Sequence, residues 1–330
     1  MLRRLSIALL LSVALGAALA VNHAGASSPA PVRSAHVTAT SPCGTVTTKP
    51  TIKHVVLIME ENHSYSTIIG SGTGATYINT LAHQCGLATS YRNITHPSLP
   101  NYIAITSALP LSKLGPFESD CPPGGSCLSS SQSLFSQVGA HGWKAYDESM
   151  PRACDGSTAG TYAPKHNPAI YYTDIPAATC KANDVSLGTL ASSPFLKAFG
   201  SETTAPKLSV VTPNLNDDMH DGSVAKGDTW LKNWLGKVLA TPVYKSGNTA
   251  VFVIWDEGEG GSYTIGENCA TSSDVSCHVA AIVVAPSVPA KSVSTKFTHY
   301  SFVRTVEELL GLPLLNQATT AASMVSAFNL

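Results

Sequence analysis

Short apolar runs recur along the chain, each bounded by polar or turn-forming residues. The clearest runs cover residues 54–59, 208–212, 250–255 and 279–285. They are rich in β-branched residues and do not alternate with polar positions, which is typical of strands buried on both faces. The pattern therefore predicts strands of a parallel sheet that is covered by helices.

Between these runs, apolar residues recur at helical spacing. One such segment follows Asp228, which the pattern predicts as the N-cap of a helix, and another ends at Gly311, where a C′ glycine belongs. Their apolar positions are Trp230, Leu231, Trp234, Leu235, Val238 and Leu239, then Phe302, Val303, Val306, Leu309 and Leu310. Strands that alternate with helices predict an α/β fold with a central, mostly parallel sheet and helices on both faces.

The first 26 residues are predicted to be a secretory signal peptide. Arg3 and Arg4 precede an apolar stretch that ends at Ala20, which is too short to span a bilayer and is followed by small residues. Cleavage is expected after Ala20 or after Ala26, with an uncleaved anchor as the alternative. The mature protein is expected to be secreted, extracellular and without stable membrane insertion.

The rest of the chain divides by composition. Residues 27–50 are rich in Ala, Ser, Thr and Pro and are predicted to form a mobile leader. Residues 51–330 are predicted to form a single domain, with a loop-rich insertion at about 110–185. Charged residues make up only 12% of the chain and the formal net charge is −1. Because no basic excess is present to hold a phosphate backbone, the sequence disfavours nucleic acid as a partner.

Eight cysteines occur in the chain, and an even number in an exported protein predicts disulfide bonds. Cys269 and Cys277 are close in sequence and form the pair that we predict. The other pairings stay open, since eight cysteines allow about 105 connectivities.

Acidic residues follow two of the predicted strands directly. Glu60, Glu61 and Asn62 come after the first strand, and Asp256 and Glu257 come after the strand at 250–255. Parallel strands carry ligand groups at their carboxyl ends, so these side chains are expected to meet. Carboxylate and amide oxygens suit a hard divalent cation, and the alternative is a solvated acidic loop.

Two further segments carry candidate chemistry. Ser98 lies at a predicted helix start, with Pro100 in the first turn, so the helix N-terminus would face whatever anion Ser98 attacks. Asp218 and His220 lie in an acidic run after another strand, where a carboxylate would favour the protonated imidazole of a general acid. An ordinary serine N-cap and a solvated loop are the alternatives.

Four motifs occur in an order that resembles one family. They are VVLIMEENHSYSTIIG, THPSLPNY, PNLNDDMHDGS and VIWDEGEGG. Over about residues 52–315 the chain is similar to the bacterial phosphoesterase family of acid phosphatases and phospholipases C, and most of all to its small secreted acid phosphatases. The resemblance implies an alkaline-phosphatase-like α/β fold.

The resemblance also implies roles for individual residues. Glu61, Asn62, Asp256 and Glu257 would hold one divalent metal ion, which could be Ca, Mg, Mn, Zn or Fe. Ser98 would be the nucleophile. The residues that would contact phosphate, leaving group or substrate are His220, His96, Asp218, His63, Lys165 and His166.

The function predicted from these residues is that of a secreted, metal-dependent acid phosphatase. It would hydrolyse a small phosphomonoester or phosphoinositide through a phosphoserine intermediate, with protonated histidines binding the phosphate in mildly acidic buffer. One alternative is a phospholipase C or phosphodiesterase on the same scaffold. An alternative of another class is a catalytically inactive secreted binding protein.

Overall fold

The computed structural model describes residues 41–330. The signal peptide predicted for residues 1–26 and the leader predicted up to residue 40 lie outside the described residues. Cys43 is buried and disulfide-bonded to Cys85, and the Thr45 N–H donates to the Pro286 carbonyl over 2.8 Å. From Cys43 onward the chain is therefore cross-linked to the domain, which corrects the prediction of a mobile leader as far as residue 50.

A twisted sheet of nine strands forms the centre of the domain. The strands are β1 (His54–Glu60), β2 (Gly86–Arg92), β3 (Trp143–Asp147), β4 (Asp184–Ser186), β5 (Leu208–Thr212), β6 (Thr249–Trp255), β7 (Val279–Val284), β8 (Lys291–Val293) and β9 (Phe297–Thr298). Their order is β4-β3-β5-β1-β6-β7-β2-β8, and β9 pairs with β2. The four strands predicted from the apolar runs are confirmed as β1, β5, β6 and β7.

The sheet is mostly parallel, as predicted. Strand β7 is the exception, because it runs antiparallel to both β6 and β2. Strands β3 and β4 lie within or at the end of the region predicted as a loop-rich insertion, residues 110–185. That prediction is wrong for these strands, since β3 pairs with β5 along its whole length and β4 pairs with β3.

Helices cover both faces of the sheet, which confirms the predicted α/β class. They are α1 (Tyr65–Ile68), α2 (Thr76–Gln84), α3 (Ser98–Ser107), α4 (Leu134–Val138), α5 (Ala177–Asn183), α6 (Pro194–Ala198), α7 (Val224–Leu239), α8 (Pro242–Lys245), α9 (His299–Leu310) and α10 (Val325–Phe328). Helix α2 packs against α7, and α3 packs against α9.

The prediction that Asp228 is the N-cap of the helix that follows it, α7, is wrong. Ser223 caps α7, with its hydroxyl accepting the Lys226 N–H. Asp228 lies in the second turn of α7, and its carboxylate accepts the N–H groups of Tyr77 and Ile78 at 3.0 and 2.8 Å. It thus caps α2 from a neighbouring element, a contact that spacing within one helix cannot reveal.

All eight cysteines lie in the described part of the chain and are paired. The disulfides join Cys43 to Cys85, Cys121 to Cys127, Cys154 to Cys180, and Cys269 to Cys277. The predicted Cys269–Cys277 pair is confirmed. Within residues 41–330, no helix has the length and apolarity needed to cross a bilayer.

Two buried carboxyls meet on the neighbouring strands β3 and β4. Asp147 and Asp184 are almost fully buried, and the negative charge of Asp184 acts on Asp147. Burial raises the pKa of Asp184 to about 6 and raises that of Asp147 well above its ordinary value. The folded chain therefore holds protons that the unfolded chain releases near pH 4, so the pair favours folding in acid and this contribution is lost as pH rises through 6.

Replacement of Asp184 by Asn is expected to stabilise the metal-free protein at pH 7.5 by on the order of 2 kcal/mol. At pH 4 the variant and the wild type are expected to be equally stable, because Asp184 is then protonated. Urea unfolding at both pH values measures the difference. Asp174→Asn serves as the control, since Asp174 is an exposed carboxylate. An unchanged pH dependence in Asp184→Asn would contradict the assignment.

Candidate active site

Acidic side chains converge where the central strands β5, β1 and β6 end. The Glu61 N–H donates to the Asp218 carbonyl and the Asp256 N–H to the Glu60 carbonyl, each over 2.9 Å. These bonds tie together the segments that follow the three strands. The predicted meeting of residues at this edge of the sheet is observed.

Ser98 is the first residue of α3 and lies among these carboxylates. Its hydroxyl is within hydrogen-bond distance of Glu61 Oε2 at 3.2 Å and of Glu257 Oε1 at 3.3 Å. Only 1% of the residue is exposed. Two carboxylate acceptors can take the hydroxyl proton, which is the arrangement that an activated serine needs.

Asn101 explains why the chain turns into α3 at Ser98. Its side-chain oxygen accepts the N–H groups of Ile94 and Thr95 at 3.0 and 3.2 Å. Its amide nitrogen donates to the carbonyls of Thr95 and Pro97 at 2.8 and 3.1 Å. One buried side chain in the first turn therefore fixes the loop before the helix, and with it the position of Ser98.

Four carboxyl groups near Ser98 are buried: Glu61, Asp218, Asp256 and Glu257. Burial and their mutual repulsion raise the pKa values of Glu61 and Asp256 well above the ordinary range. Burial, with the nearby charge of Asp120, raises the pKa of Glu257 to about 8, and burial raises that of Asp218 to about 7. So much buried negative charge has to be balanced by protons or by a cation.

The donor chemistry fits a hard divalent cation. Asp256 Oδ1 accepts the Asn62 N–H over 3.2 Å, whereas the buried Asp256 Oδ2 has no hydrogen-bond partner in the described chain. Asn62 adopts a left-handed backbone, with φ of 49°, which asparagine tolerates better than most residues. Glu61, Glu257 and Asp256 thus present carboxylate oxygens around Ser98, with Asn62 adjoining them.

A second group of donor atoms shares Glu61. Glu61, His166 and His220 each offer one ligand atom, and these atoms lie within 4.8 Å of one another. The Lys165 ammonium lies 3.4 Å from Nε2 of His220, so a cation there would meet a positive charge. The Lys165 charge therefore disfavours a cation in this second group of donor atoms.

His96, predicted as a catalytic residue, is buried between Glu257 and Ser276. Its Nδ1 is 2.5 Å from Glu257 Oε2, and its Nε2 is 3.0 Å from the Ser276 hydroxyl. The ring is fully buried, and burial lowers its pKa. Both ring nitrogens therefore have partners inside the protein, and the contact of Nδ1 orients Glu257.

His166 and Asp218 brace the other side of the site. His166 Nε2 lies 3.2 Å from Glu61 Oε1, and its Nδ1 lies 3.3 Å from Asp218 Oδ2. Asp218 Oδ1 accepts the His220 N–H over 2.8 Å. Burial, followed by the positive charges of Lys165 and His220, lowers the pKa of His166 well below its ordinary value. Burial therefore favours the neutral form of this histidine, which speaks against the expected binding of phosphate by a protonated His166.

Lys165 and His220 form the open rim of the site. Their side chains are each 23% exposed. Lys165 donates to Asp120 Oδ2 over 2.9 Å, and the other Asp120 oxygen accepts the Leu99 N–H over 3.0 Å. Burial alone would lower the pKa of Lys165, but Asp120 and the nearby carboxylates raise it. Lys165 therefore keeps its positive charge, and this charge lies near the start of α3.

The remaining predicted residue, His63, pairs elsewhere. Its Nδ1 lies 2.8 Å from Oε1 of Glu259, on the segment that follows Glu257. Sequence reasoning missed Asp120 and Tyr102. Tyr102 is four residues after Ser98 and so faces the same side of α3, a signal that the sequence contained. Asp120 reaches the site from a distant loop, and no pattern in the sequence marks it.

Comparison with known proteins decides the family. The sequence profile of the Phosphoesterase family matches residues 72–313 of the chain. The chain belongs to the phosphoesterase family. The predicted enzyme class, a hydrolase of phosphate esters, is confirmed.

Individual members of the phosphoesterase family resemble the chain over most of its length. A phosphatidylinositol-3-phosphatase of Mycobacterium tuberculosis is 32% identical over 82% of the chain and 81% of the relative. An acid phosphatase of Aspergillus fumigatus is 23% identical over 74% of the chain. The chain spans 53% of the length of that fungal relative.

Solved structures share the fold of this phosphoesterase. A protein of the alkaline phosphatase superfamily from Vibrio parahaemolyticus aligns with a TM-score of 0.54 at 10% identity, covering 85% of this chain and 72% of that one. A phosphonate monoester hydrolase from Silicibacter pomeroyi gives 0.53 at 12% identity, over 84% and 76%. These likenesses confirm the alkaline-phosphatase-like fold that was predicted.

Proposed function

We propose that the protein is a secreted, metal-dependent acid phosphatase that hydrolyses phosphate monoesters through a phosphoserine on Ser98. One observation carries the proposal. Ser98 is the first residue of α3, and its hydroxyl lies between the carboxylates of Glu61 and Glu257. The names of the mycobacterial and fungal relatives support phosphatase activity, and the four disulfides support export. The substrate class is a small phosphomonoester or a phosphoinositide.

The chemistry of the first step follows from these contacts. Ser98 Oγ attacks phosphorus in line with the leaving oxygen and passes its proton to a neighbouring carboxylate. A divalent cation held by Glu61, Asn62, Asp256 and Glu257 would supply positive charge for the serine oxygen and the phosphoryl oxygens. The new bond joins Oγ to phosphorus while the bond from phosphorus to the leaving oxygen breaks.

His220 is the candidate acid for the leaving oxygen, because it lies at the open rim and its Nδ1 is 2.7 Å from Asp221 Oδ1. In the second step a water attacks the phosphoserine, and the bond from phosphorus to Ser98 Oγ breaks. His220, which gave its proton to the leaving oxygen, takes one from the water, and the carboxylate that accepted the Ser98 proton returns it to Oγ. His166 and Asp218 are buried beside these groups, with His166 between Glu61 and Asp218.

Lys165 provides the charge that favours a monoester over a diester. A monoester dianion carries one more charged oxygen than a diester, and the ammonium at the start of α3 can bind it. Protonated histidines were expected in this role, but the burial of His166 makes Lys165 the better group.

Turnover of p-nitrophenyl phosphate is expected to exceed that of its bis-ester by at least ~30-fold in kcat/KM, or about 2 kcal/mol of discrimination. The two substrates are compared at pH 5.5 and 8 with several divalent metals. Lys165→Met should lower the monoester value more than the diester value.

Equal or faster turnover of the bis-ester, or of intact phosphatidylcholine, would establish the phosphodiesterase or phospholipase C alternative. If neither ester nor a phosphoinositide is hydrolysed with any metal, the protein is the inactive binding protein considered from the sequence.

A further inference from the structure

We infer that Tyr102 is a positioning residue for the cation site, because its hydroxyl holds one oxygen of Glu61 so that the other faces Ser98. This inference rests on the proposed function, in which Glu61 is a metal ligand. It assigns a role to a residue that makes no contact with the reacting atoms.

The contact between Tyr102 and Glu61 is short and buried. The Tyr102 hydroxyl donates to Glu61 Oε1 over 2.5 Å, and both residues are fully buried. Glu61 Oε2 is the oxygen that meets the Ser98 hydroxyl, at 3.2 Å. One oxygen of Glu61 therefore binds the Tyr102 hydroxyl, and the other binds the Ser98 hydroxyl.

Helix α3 provides two of the groups that contact Glu61. Ser98 and Tyr102 are four residues apart and so lie one turn above each other on the same face. Glu61 belongs to the segment after β1, and it bonds to both at once. The helix thereby sets the rotation of the Glu61 carboxylate as well as the location of Ser98.

The ring of Tyr102 adds a second constraint. It stacks on the ring of His166, with 5.2 Å between centroids and 8° between planes. His166 Nε2 lies 3.2 Å from the same Glu61 Oε1. The phenol thus fixes Glu61 through its hydroxyl and His166 through its face, and these two effects can be separated by mutation.

A hydrogen bond to a metal-binding carboxylate restricts its rotation before the ion arrives. Loss of such a partner costs about 10–100-fold in metal affinity. In Tyr102→Phe the ring and its stack remain while the hydroxyl is lost, so the effect is expected on metal binding. With Tyr102→Leu the stack on His166 is lost as well.

Ca²⁺, Mn²⁺ and Zn²⁺ are first titrated separately into metal-free wild-type protein by calorimetry. The ion whose binding disappears in Asp256→Asn is the one used afterwards. Tyr102→Phe is expected to bind this ion 10–100-fold more weakly, while kcat at saturating ion returns to within about fivefold of wild type.

Tyr172→Phe is the matched control. The Tyr172 hydroxyl is also buried against α3, where it contacts Thr106 Oγ1 at 2.7 Å and the Ile103 carbonyl at 3.2 Å, away from the carboxylates. Its removal should lower thermal stability about as much as Tyr102→Phe and leave metal affinity unchanged. All affinities are measured well below the melting temperature, so a loss of stability alone does not alter them.

Ion binding by Tyr102→Phe within threefold of wild type would overturn the inference and leave the proposed function standing. The same holds if Tyr172→Phe weakens binding equally, because the effect would then be a general loosening of α3. If no ion binds to the wild type, the proposed metal dependence itself is wrong, and the inference falls with it.

Discussion

Replacement of Ser98 by alanine is expected to lower kcat for p-nitrophenyl phosphate by at least ~10³-fold. The variant has no oxygen to attack phosphorus at the start of α3, and the carboxylates of Glu61 and Glu257 have no proton to accept there. A loss of this size corresponds to about 4 kcal/mol of transition-state stabilisation. Steady-state kinetics on matched amounts of folded protein measure it.

Ser107→Ala is the control for this variant. Ser107 is a buried serine of the same helix whose hydroxyl donates to the Ile103 carbonyl over 2.7 Å. Its loss should leave kcat within about twofold of wild type, as for a substitution outside the site. Acid quenching during turnover should trap phosphate on the peptide that contains Ser98, which mass spectrometry can locate. Residual activity of Ser98→Ala within tenfold of wild type would show that another group is the nucleophile.

Removal of the divalent ion is expected to abolish turnover, with a fall of at least ~10²-fold, and addition of a divalent ion to restore it. The reason is the buried negative charge around Ser98, which otherwise takes up protons. Elemental analysis must confirm that the chelated protein is free of metal. Asp256→Asn should show the same loss without chelation, because Asp256 offers the buried oxygen that lacks a partner.

The affinity for the ion is also expected to weaken as pH falls from 8 to 6. Burial and Asp120 raise the pKa of Glu257 to about 8 in the metal-free protein, so below that pH the ion must displace a proton. The cost approaches tenfold per pH unit for each proton displaced. Asp228→Asn is the control, since both oxygens of that buried carboxylate accept amides of α2. Metal-free protein with full activity would refute the metal site.

Contacts that depend on the course of the chain were harder to predict than the motifs. His96 was identified from its motif, but its role was not, because its partners Glu257 and Ser276 lie 161 and 180 residues away. Tyr102 lies within the motif THPSLPNY, yet its bond to Glu61 depends on how α3 packs beside β1. Asp120 enters from a loop whose path no local pattern predicts.

The sequence by itself determined the strands at the centre of the sheet, the Cys269–Cys277 pair and the edge where acidic residues gather. These features follow from local apolar runs, short separations and the direction of parallel strands. Only the tertiary structure decided that Asp228 caps α2, that β3 and β4 extend the sheet, and that Lys165 is the cation at the rim. Those outcomes depend on which distant segments are brought together and on how deeply each charge is buried, and burial sets the ionisation of a side chain far more than its neighbours in sequence do.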